Sequence, residues 1–562
     1  MPTTLVQPTP RDLYGGPAFL LSLASIALIP VWAFTYFPTT DGGAHVANAD
    51  VLLQYFGPDG TAYRQYYELN SLPVPNALGH FILALLMAFL PHLAAEKCLI
   101  SAYVLLLPLS VRYAVMAVRP SSGWIALLVV PLSLNWIFHQ GFYNFLISVA
   151  IFFFLLGYWL RRREAMNAKR TVILGFLGLL LYAGHLLSIT LACAAILILA
   201  VWFTAAQAWQ FHRRGNLTWA RLGPGVRSRV LLTFTALLPA IGLVVWFQLR
   251  GFAGKPDKTV LAIFKLAFWK DLFSLSILVS YRARFERPLA AVLAFIFIAL
   301  VVGTLLHKAI RRTWKRRDGL ILVPLAFTAL YFTRGDSKSG ELFIPQRLVF
   351  FAYLTSLLFL ATQRFASSIK NTIVIASTLL ALSLTAVHWS AYREYNAQLA
   401  DFLDTAERIE PHSTLLPLVF APNGSPQVVD ADGLRSRPFY SAAGYAAAAQ
   451  HAVDLRNYEA GLDYFPVRFR ADLNPYKHLA VMNGKENGLG MVPQRFDLPR
   501  YVASTRGRAD YVLTWAMPGM LKDSPSARDT YRQLSSLYQR IHTSETGRAE
   551  LWKLAVPTHF PP

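Results

Sequence analysis

"FPTTDGGAHVANADVLLQYFGPDG", Phe37 to Gly60, follows an apolar run from about Pro17 to Tyr36 with no polar spacer between them. It carries three aspartates, Asp41, Asp50 and Asp59, and a histidine, His45; Glu68 follows shortly after. Elsewhere acids are scarce. Only 13 Asp/Glu precede residue 390, and four of them fall in one loop, 38–75. Two readings compete at each of these residues. Thr40 or Asp41 suits the N-cap of a helix over "GGAHVANADVLLQYF", because a short oxygen side chain accepts from the first helical N–H groups. Gly42 and Gly43 leave the backbone beside Asp41 bare, so another group can come close. His45 would stand one turn after Asp41, with Ala49 and Leu52 on a similar face; its plain alternative is interfacial hydrogen bonding. Asp50, Asp59 and Glu68 also read as solvated loop charges, and "FGPDG" (Phe56 to Gly60) as a turn.

The chain around this loop is a membrane chain. Of its 562 residues 55% are hydrophobic and 15% charged, against roughly 25% charged in a soluble domain. Its long apolar runs approach the ~20 residues that cross a bilayer core. The expected fold is an α-helical polytopic membrane protein of about 11–13 transmembrane helices with a small C-terminal α/β extramembrane domain. Spans are expected at about 17–36, 76–91, 98–118, 124–138, 142–160, 171–186, 188–206, 230–249, 288–306, 319–332, 348–362 and 372–389. The first run is too long for the core of a cleaved signal and reads as a retained span. Residues 1–389 form the expected membrane domain and 390–562 the polar one. In the latter, "STLLPLVF", "KHLAVMN" and "ADYVLTWA" read as strands and "REYNAQLADFLDTAERI" as helix.

Charge is unevenly placed. Ser390 to Pro562 holds 19 Lys/Arg and 18 Asp/Glu, so nearly all of the net +22 belongs to the first 389 residues. That favours membrane lipid head groups or an anionic lipid-linked ligand, and disfavours nucleic acid. The basic blocks at 161–170, 207–229 and 307–318 read as cytoplasmic anchors. The loops 250–287 and 333–347, the acidic loop and the C-terminal domain then lie on the outer, periplasmic side of a cell inner membrane. An odd number of crossings must link 75 to 119, although two apolar stretches lie there. Cys98 and Cys193 allow neither a disulfide framework nor a cysteine metal site.

A first span, an outer acidic loop, basic inner loops and a polar outer tail together resemble the GT-C superfamily of membrane glycosyltransferases, which includes protein O-mannosyltransferases and aminoarabinose transferases. "TTDGGAHVANA" (Thr39 to Ala49) looks like the family's Asp-x-x-x-His-x-x-x-Ala form of the motif after the first span. It departs at Gly42, where many members carry a second acid, and so leaves a divalent metal open. "LPVPNALGHFILALL" (Leu72 to Leu86) is similar to the family's proline-containing entry to the next span. "GFYNFLISVAIFFFLLGYWLRRR" (Gly141 to Arg163) is similar to a segment of bacterial members. The resemblance covers about two thirds of the chain. It implies a sugar donor on polyprenyl phosphate, a glycan, lipid or protein acceptor, and Asp41 as the catalytic carboxylate.

The remaining candidates follow from the chemistry of such a transfer. An attacking hydroxyl needs a carboxylate to take its proton, and Asp41 sits where the lipid boundary would be. The leaving phosphate needs cationic donors. Lys255, Lys258, Arg282 and Arg284 lie in an outer loop rich in basic residues, against the positive-inside trend, though snorkelling anchors explain them too. Arg347 opens a late span, and its planar fork suits phosphate; Arg334 and Lys338 precede it. His45, Asp50, Glu68 and His80 complete the candidate substrate-binding set, while His139 and His185 stand at other span ends. No His-x-x-x-His, Cys cluster or Gly-rich phosphate loop is present, which disfavours zinc and nucleotide chemistry. The competing readings are a transporter or flippase of a lipid-linked saccharide, which clean spans disfavour, and a non-catalytic envelope-assembly protein.

Overall fold

The computed structural model describes residues 16–250, 262–333, 343–424, 436–479, 497–505 and 507–555, without the side chain of Ser504. Lys255, Lys258, Arg334 and Lys338 lie outside them. The chain divides into two compact units. One comprises Met1–Pro30, Ser101–Phe138 and Asn144–His388; the other comprises Val31–Ile100, His139–Tyr143 and Trp389–Pro562.

The first unit is helical. Across the described chain, six helical stretches are long and apolar enough to cross a membrane: His92–Val118, Tyr143–Arg162, Leu186–Arg213, Trp219–Leu249, Ala283–Arg311 and Ser367–Arg408. Four shorter apolar helical stretches accompany them: Pro17–Ala27, Leu78–Met87, Pro120–Ser133 and Ile344–Leu360. The expected helical membrane chain is therefore present. Leu78–Met87 explains the conflict in the crossing count. Its 10 residues rise only about 15 Å, half a bilayer core, so between 75 and 119 His92–Val118 alone has spanning length. The three basic blocks meet at one carboxylate. Glu164 pairs with Arg163, Arg229 and Arg316, drawing 161–170, 207–229 and 307–318 to a common end of this unit. Nearby, Lys308 and Asp318 form a buried pair at 2.9 Å. Such buried partners satisfy charges that would otherwise be costly away from water.

The second unit holds the acidic loop and the polar domain in one core. Its main sheet has five strands in the order β3-β2-β5-β7-β6, where β2 is Thr414–Val419, β3 Val453–Asp454, β5 Tyr511–Trp515, β6 Tyr538–Thr543 and β7 Ala549–Leu554. Strand β2 runs parallel to β3 and β5, and β7 runs antiparallel to β5 and β6. The strand readings of "STLLPLVF" and "ADYVLTWA" correspond to β2 and β5. Lys477 and His478 of "KHLAVMN" instead lie in the short Pro475–His478 helix; residues 480–483 are outside the described chain. A second, two-stranded sheet pairs β1 (Tyr67–Leu69) antiparallel with β4 (Val467–Phe469), placing Glu68 opposite Arg468. Val51, Tyr63, Tyr66 and Tyr67 pack in one apolar core with Leu416, Val453, Val467, Val512 and Trp552. The loop that follows the first apolar run thus folds as part of the C-terminal domain.

Close backbone approach fixes that arrangement. A Cβ on Gly43 would lie 2.0 Å from the Ser441 carbonyl oxygen, and one on Gly444 would lie 2.2 Å from that of Gly43. The Gly42–Gln54 and Ala443–Ala449 helices therefore touch through bare backbone, which only glycine permits. Gly43→Val should cost about 1–3 kcal/mol through overpacking and lower the thermal unfolding midpoint of detergent-purified protein. Gly303→Ala, where a Cβ meets nothing within 4 Å, should leave the midpoint unchanged or slightly raised.

Candidate active site

Asp41 occupies the N-cap position of the Gly42–Gln54 helix, but its carboxylate does not cap it. The Gly42 amide donates to Thr39 Oγ1 at 3.1 Å instead. The loop backbone is pinned by two further bonds, from Thr40 N to the His139 carbonyl (3.1 Å) and from Asp41 N to that of Gln140 (3.0 Å). With the helix end satisfied by Thr39, the Asp41 side chain turns to another partner. Its Oδ2 accepts a hydrogen bond from the Tyr458 hydroxyl at 2.9 Å, and the residue is only 5% exposed. Burial, with the Asp41 and Glu459 carboxylates alongside, holds the Tyr458 phenol well above its ordinary range, so it stays a proton donor.

One turn further, His45 enters a buried cluster. Its Nδ1 lies 2.9 Å from Nε2 of His80, which lies 2.8 Å from Oε2 of Glu459; His45 Nδ1 is 3.4 Å from Glu459 Oε1. Asn48, the next residue on the same helix face, donates from Nδ2 to Glu459 Oε2 at 2.6 Å. Burial above all, with a smaller contribution from His80, pushes His45 down to about 4, against the pull of Glu459 and the Gly141 backbone. The ring is therefore neutral near pH 7. Burial pushes Glu459 up, but the two imidazoles and the hydrogen bonds from His80 and Asn48 outweigh it and keep the carboxyl below its ordinary range. The three side chains offer two imidazole nitrogens and a carboxylate within 4.8 Å of one another, a set able to hold a metal.

A third carboxylate fills the place beside Asp41. Glu96 Oε1 accepts from the hydroxyls of Tyr143 (2.6 Å) and Tyr445 (2.8 Å). A Cβ on Gly42 would lie 2.2 Å from this same oxygen. The sequence motif lacks an acid at 42, and in the fold the Glu96 carboxylate stands against that position.

The other expected residues divide clearly. Asp50 is buried and accepts from Tyr63 (2.5 Å) and from His451 Nδ1 (2.9 Å), so it braces the loop from within. Glu68 forms a half-exposed cross-strand pair with Arg468 at 3.0 Å. Asp59 faces His412 at 3.6 Å near the surface. In the helical unit, Arg347 is buried, with Nη1 2.6 Å from His185 Nε2 and its guanidinium 4.8 Å from the Phe145 ring centre. Arg282 starts the Ala283–Arg311 helix, and its amide donates to Glu286 Oε2 at 3.1 Å; Arg284 is exposed. His139 Nε2 lies 2.7 Å from the Tyr392 hydroxyl. Sequence reading passed over Asn48, Glu96, Tyr143, Tyr445, Tyr458 and Glu459. Glu96 alone had a local signal, as an acid inside an apolar run.

No family model and no curated protein matches this chain. Twelve solved chains do. One is ArnT from Cupriavidus metallidurans in the apo state, 12% identical, covering 95% of this chain and 97% of that one, with a TM-score of 0.39. Another is the Archaeoglobus fulgidus oligosaccharyltransferase, tethered by a disulfide to an acceptor peptide containing the NVT sequon. It is 12% identical and covers 96% of this chain and 74% of that one, with a TM-score of 0.43.

The Asp50–His451 pair gives a pH signature. The hydrogen bond from His451 to Asp50 raises the imidazole above its ordinary value of 6.5. A raised folded-state pKa stabilises fully below the unfolded value, and the contribution fades as pH rises through the folded one. The unfolding midpoint should therefore fall from pH 6 to pH 8.5, and His451→Gln should flatten that slope in a thermal melt series.

Proposed function

We propose that this chain is an integral membrane glycosyltransferase that moves a sugar from a polyprenyl-phosphate donor to an acceptor on the outer face of the membrane, with Asp41 as general base. One observation carries the reading. A buried aspartate at a helix start is relieved of capping by Thr39 and is held by the Tyr458 hydroxyl. Freed from capping, the side chain is held in one orientation by Tyr458, as proton abstraction requires. The GT-C-like motif "TTDGGAHVANA" places the same residue in the same role by resemblance.

The reaction balances as a single inverting displacement. The acceptor oxygen attacks the anomeric carbon while Asp41 takes its proton. The new C–O bond forms as the bond to the phosphate oxygen breaks, and polyprenyl phosphate leaves with its negative charge. Arg347, with Lys255, Lys258, Arg282 and Arg284, is assigned to the donor phosphate, because cations fixed in advance stabilise a leaving anion. His45, Asp50, Glu68 and His80 were the sequence candidates for substrate contact. The clustering of His45 and His80 around Glu459, and of Asp50 around Tyr63 and His451, suits them better to shaping the site. In this proposal the membrane domain lies within residues 1–389, and 390–562 form an outer, periplasmic domain of an inner-membrane protein, against whose core the catalytic loop at 38–75 packs. That domain contributes Tyr445, Tyr458 and Glu459.

Asp41→Asn keeps the shape and removes the base. Purified Asp41→Asn, incubated with radiolabelled polyprenyl-phosphate sugars and cell-envelope acceptors, should transfer label at least about 100-fold more slowly than wild type. Equal transfer by both proteins would remove Asp41 from the mechanism. Movement of intact labelled lipid across proteoliposomes without bond cleavage would replace the transferase with a flippase. Arg347→Gln should lower kcat more than it raises KM for the donor.

A further inference from the structure

The buried cluster one turn along the helix from Asp41 gathers two imidazoles and a carboxylate. His80 Nδ1 lies 3.0 Å from the Asn76 carbonyl oxygen, which can only accept, so Nδ1 carries the hydrogen. Its Nε2 faces a carboxylate oxygen of Glu459 2.8 Å away and the His45 ring nitrogen 2.9 Å away. Three buried groups able to ligate a metal thus converge, with their donor atoms within 4.8 Å of one another.

Two of the three are also held from behind. Asn76 anchors the far side of His80, from a left-handed backbone (φ +61°). Asn48 donates to Glu459, and Asn457 Nδ2 in turn donates to Asn48 Oδ1 at 2.8 Å. A ligand whose opposite nitrogen is tied to a carbonyl, and a carboxylate fixed by an amide, are the usual outer supports of a metal site. The 2.8 Å from His80 to Glu459 Oε2 and the 2.9 Å between the imidazoles fall short of, and the 3.4 Å from His45 to Glu459 Oε1 lies close to, the ~3.3 Å edge of a tetrahedron built on zinc bonds of about 2.0–2.1 Å.

We propose that His45, His80 and Glu459 bind a transition-metal dication of the zinc class, which locks the Asn457–Glu459 segment against the Gly42–Gln54 helix and so sets the Tyr458 hydroxyl on Asp41. Two imidazoles and one carboxylate favour zinc, cobalt or iron over magnesium or calcium, which take all-oxygen shells. The inference goes beyond the transferase reading, since it concerns a metal held by two histidines and Glu459 with no part for the Asp41 carboxylate, and it is measured without sugar transfer.

The test uses full-length protein in detergent with any polyhistidine tag removed. Wild type is stripped with a chelator, reloaded with zinc, cobalt or magnesium, and desalted. Elemental analysis should find one equivalent of zinc and no retained magnesium. Cobalt should give visible d–d bands that zinc abolishes. The thermal midpoint should drop on stripping and recover with zinc. His80→Gln and Glu459→Gln should lose both metal and chelator sensitivity, while His307→Gln, exposed in the helical unit, should keep both. If the site variants fail to fold, the cobalt spectrum of wild type and its competition by zinc decide the matter alone. Sub-stoichiometric zinc, no cobalt bands and a midpoint indifferent to chelator would overturn the proposal and leave a shared proton as the link between the imidazoles and Glu459.

Discussion

The amide of Gly42 donates to the Thr39 hydroxyl oxygen, and that hydrogen bond decides what Asp41 is able to do. An exposed helix start leaves N–H groups that the nearest oxygen side chain will take. Aspartate at the N-cap would normally be that side chain, and its charge would then be spent on the helix. Here a neighbour two positions earlier takes the duty, while backbone bonds to His139 and Gln140 hold the loop still. The carboxylate is left buried, oriented and in contact with a phenol that donates to it.

The second constraint is the burial of Glu459 against residues more than 370 positions away in sequence. An ionised carboxylate in a dry interior is costly unless hydrogen bonds surround it. Asn48 and His80 supply them, and both stand on helices of the chain's first hundred residues. The same fold therefore satisfies the acid, seats the acidic loop in the C-terminal domain and presents Tyr458 to Asp41. Loop and domain share one apolar core as well, from Val51 and the tyrosines 63, 66 and 67 to the central strands of the sheet.

Much of the architecture was legible in the sequence, because apolar runs and strand patterns are local signals. The helical membrane region and strands β2 and β5 could be read directly. Helix continuity was less legible: the stretch at 124–138 reads as one span, yet it is a 3-10 turn followed by short helices. At the site, Asp41, His45 and His80 announced themselves as polar residues in apolar surroundings. Tyr458 and Glu459 did not, since "RNYEAGLDY" is an ordinary surface-like stretch and only long-range folding buries it. Asp50 and Glu68 looked alike as loop acids. One is enclosed by Tyr63 and His451, the other sits on a strand edge, and no local pattern separates those fates.

Gly42 is where any side chain would collide with a carboxylate. Its bare side bears the Glu96 carboxylate, delivered from the His92–Val118 helix and fastened by two tyrosine hydroxyls. A larger residue at 42 would evict that carboxylate, so a change in the loop is felt on a helix that shares no local sequence with it.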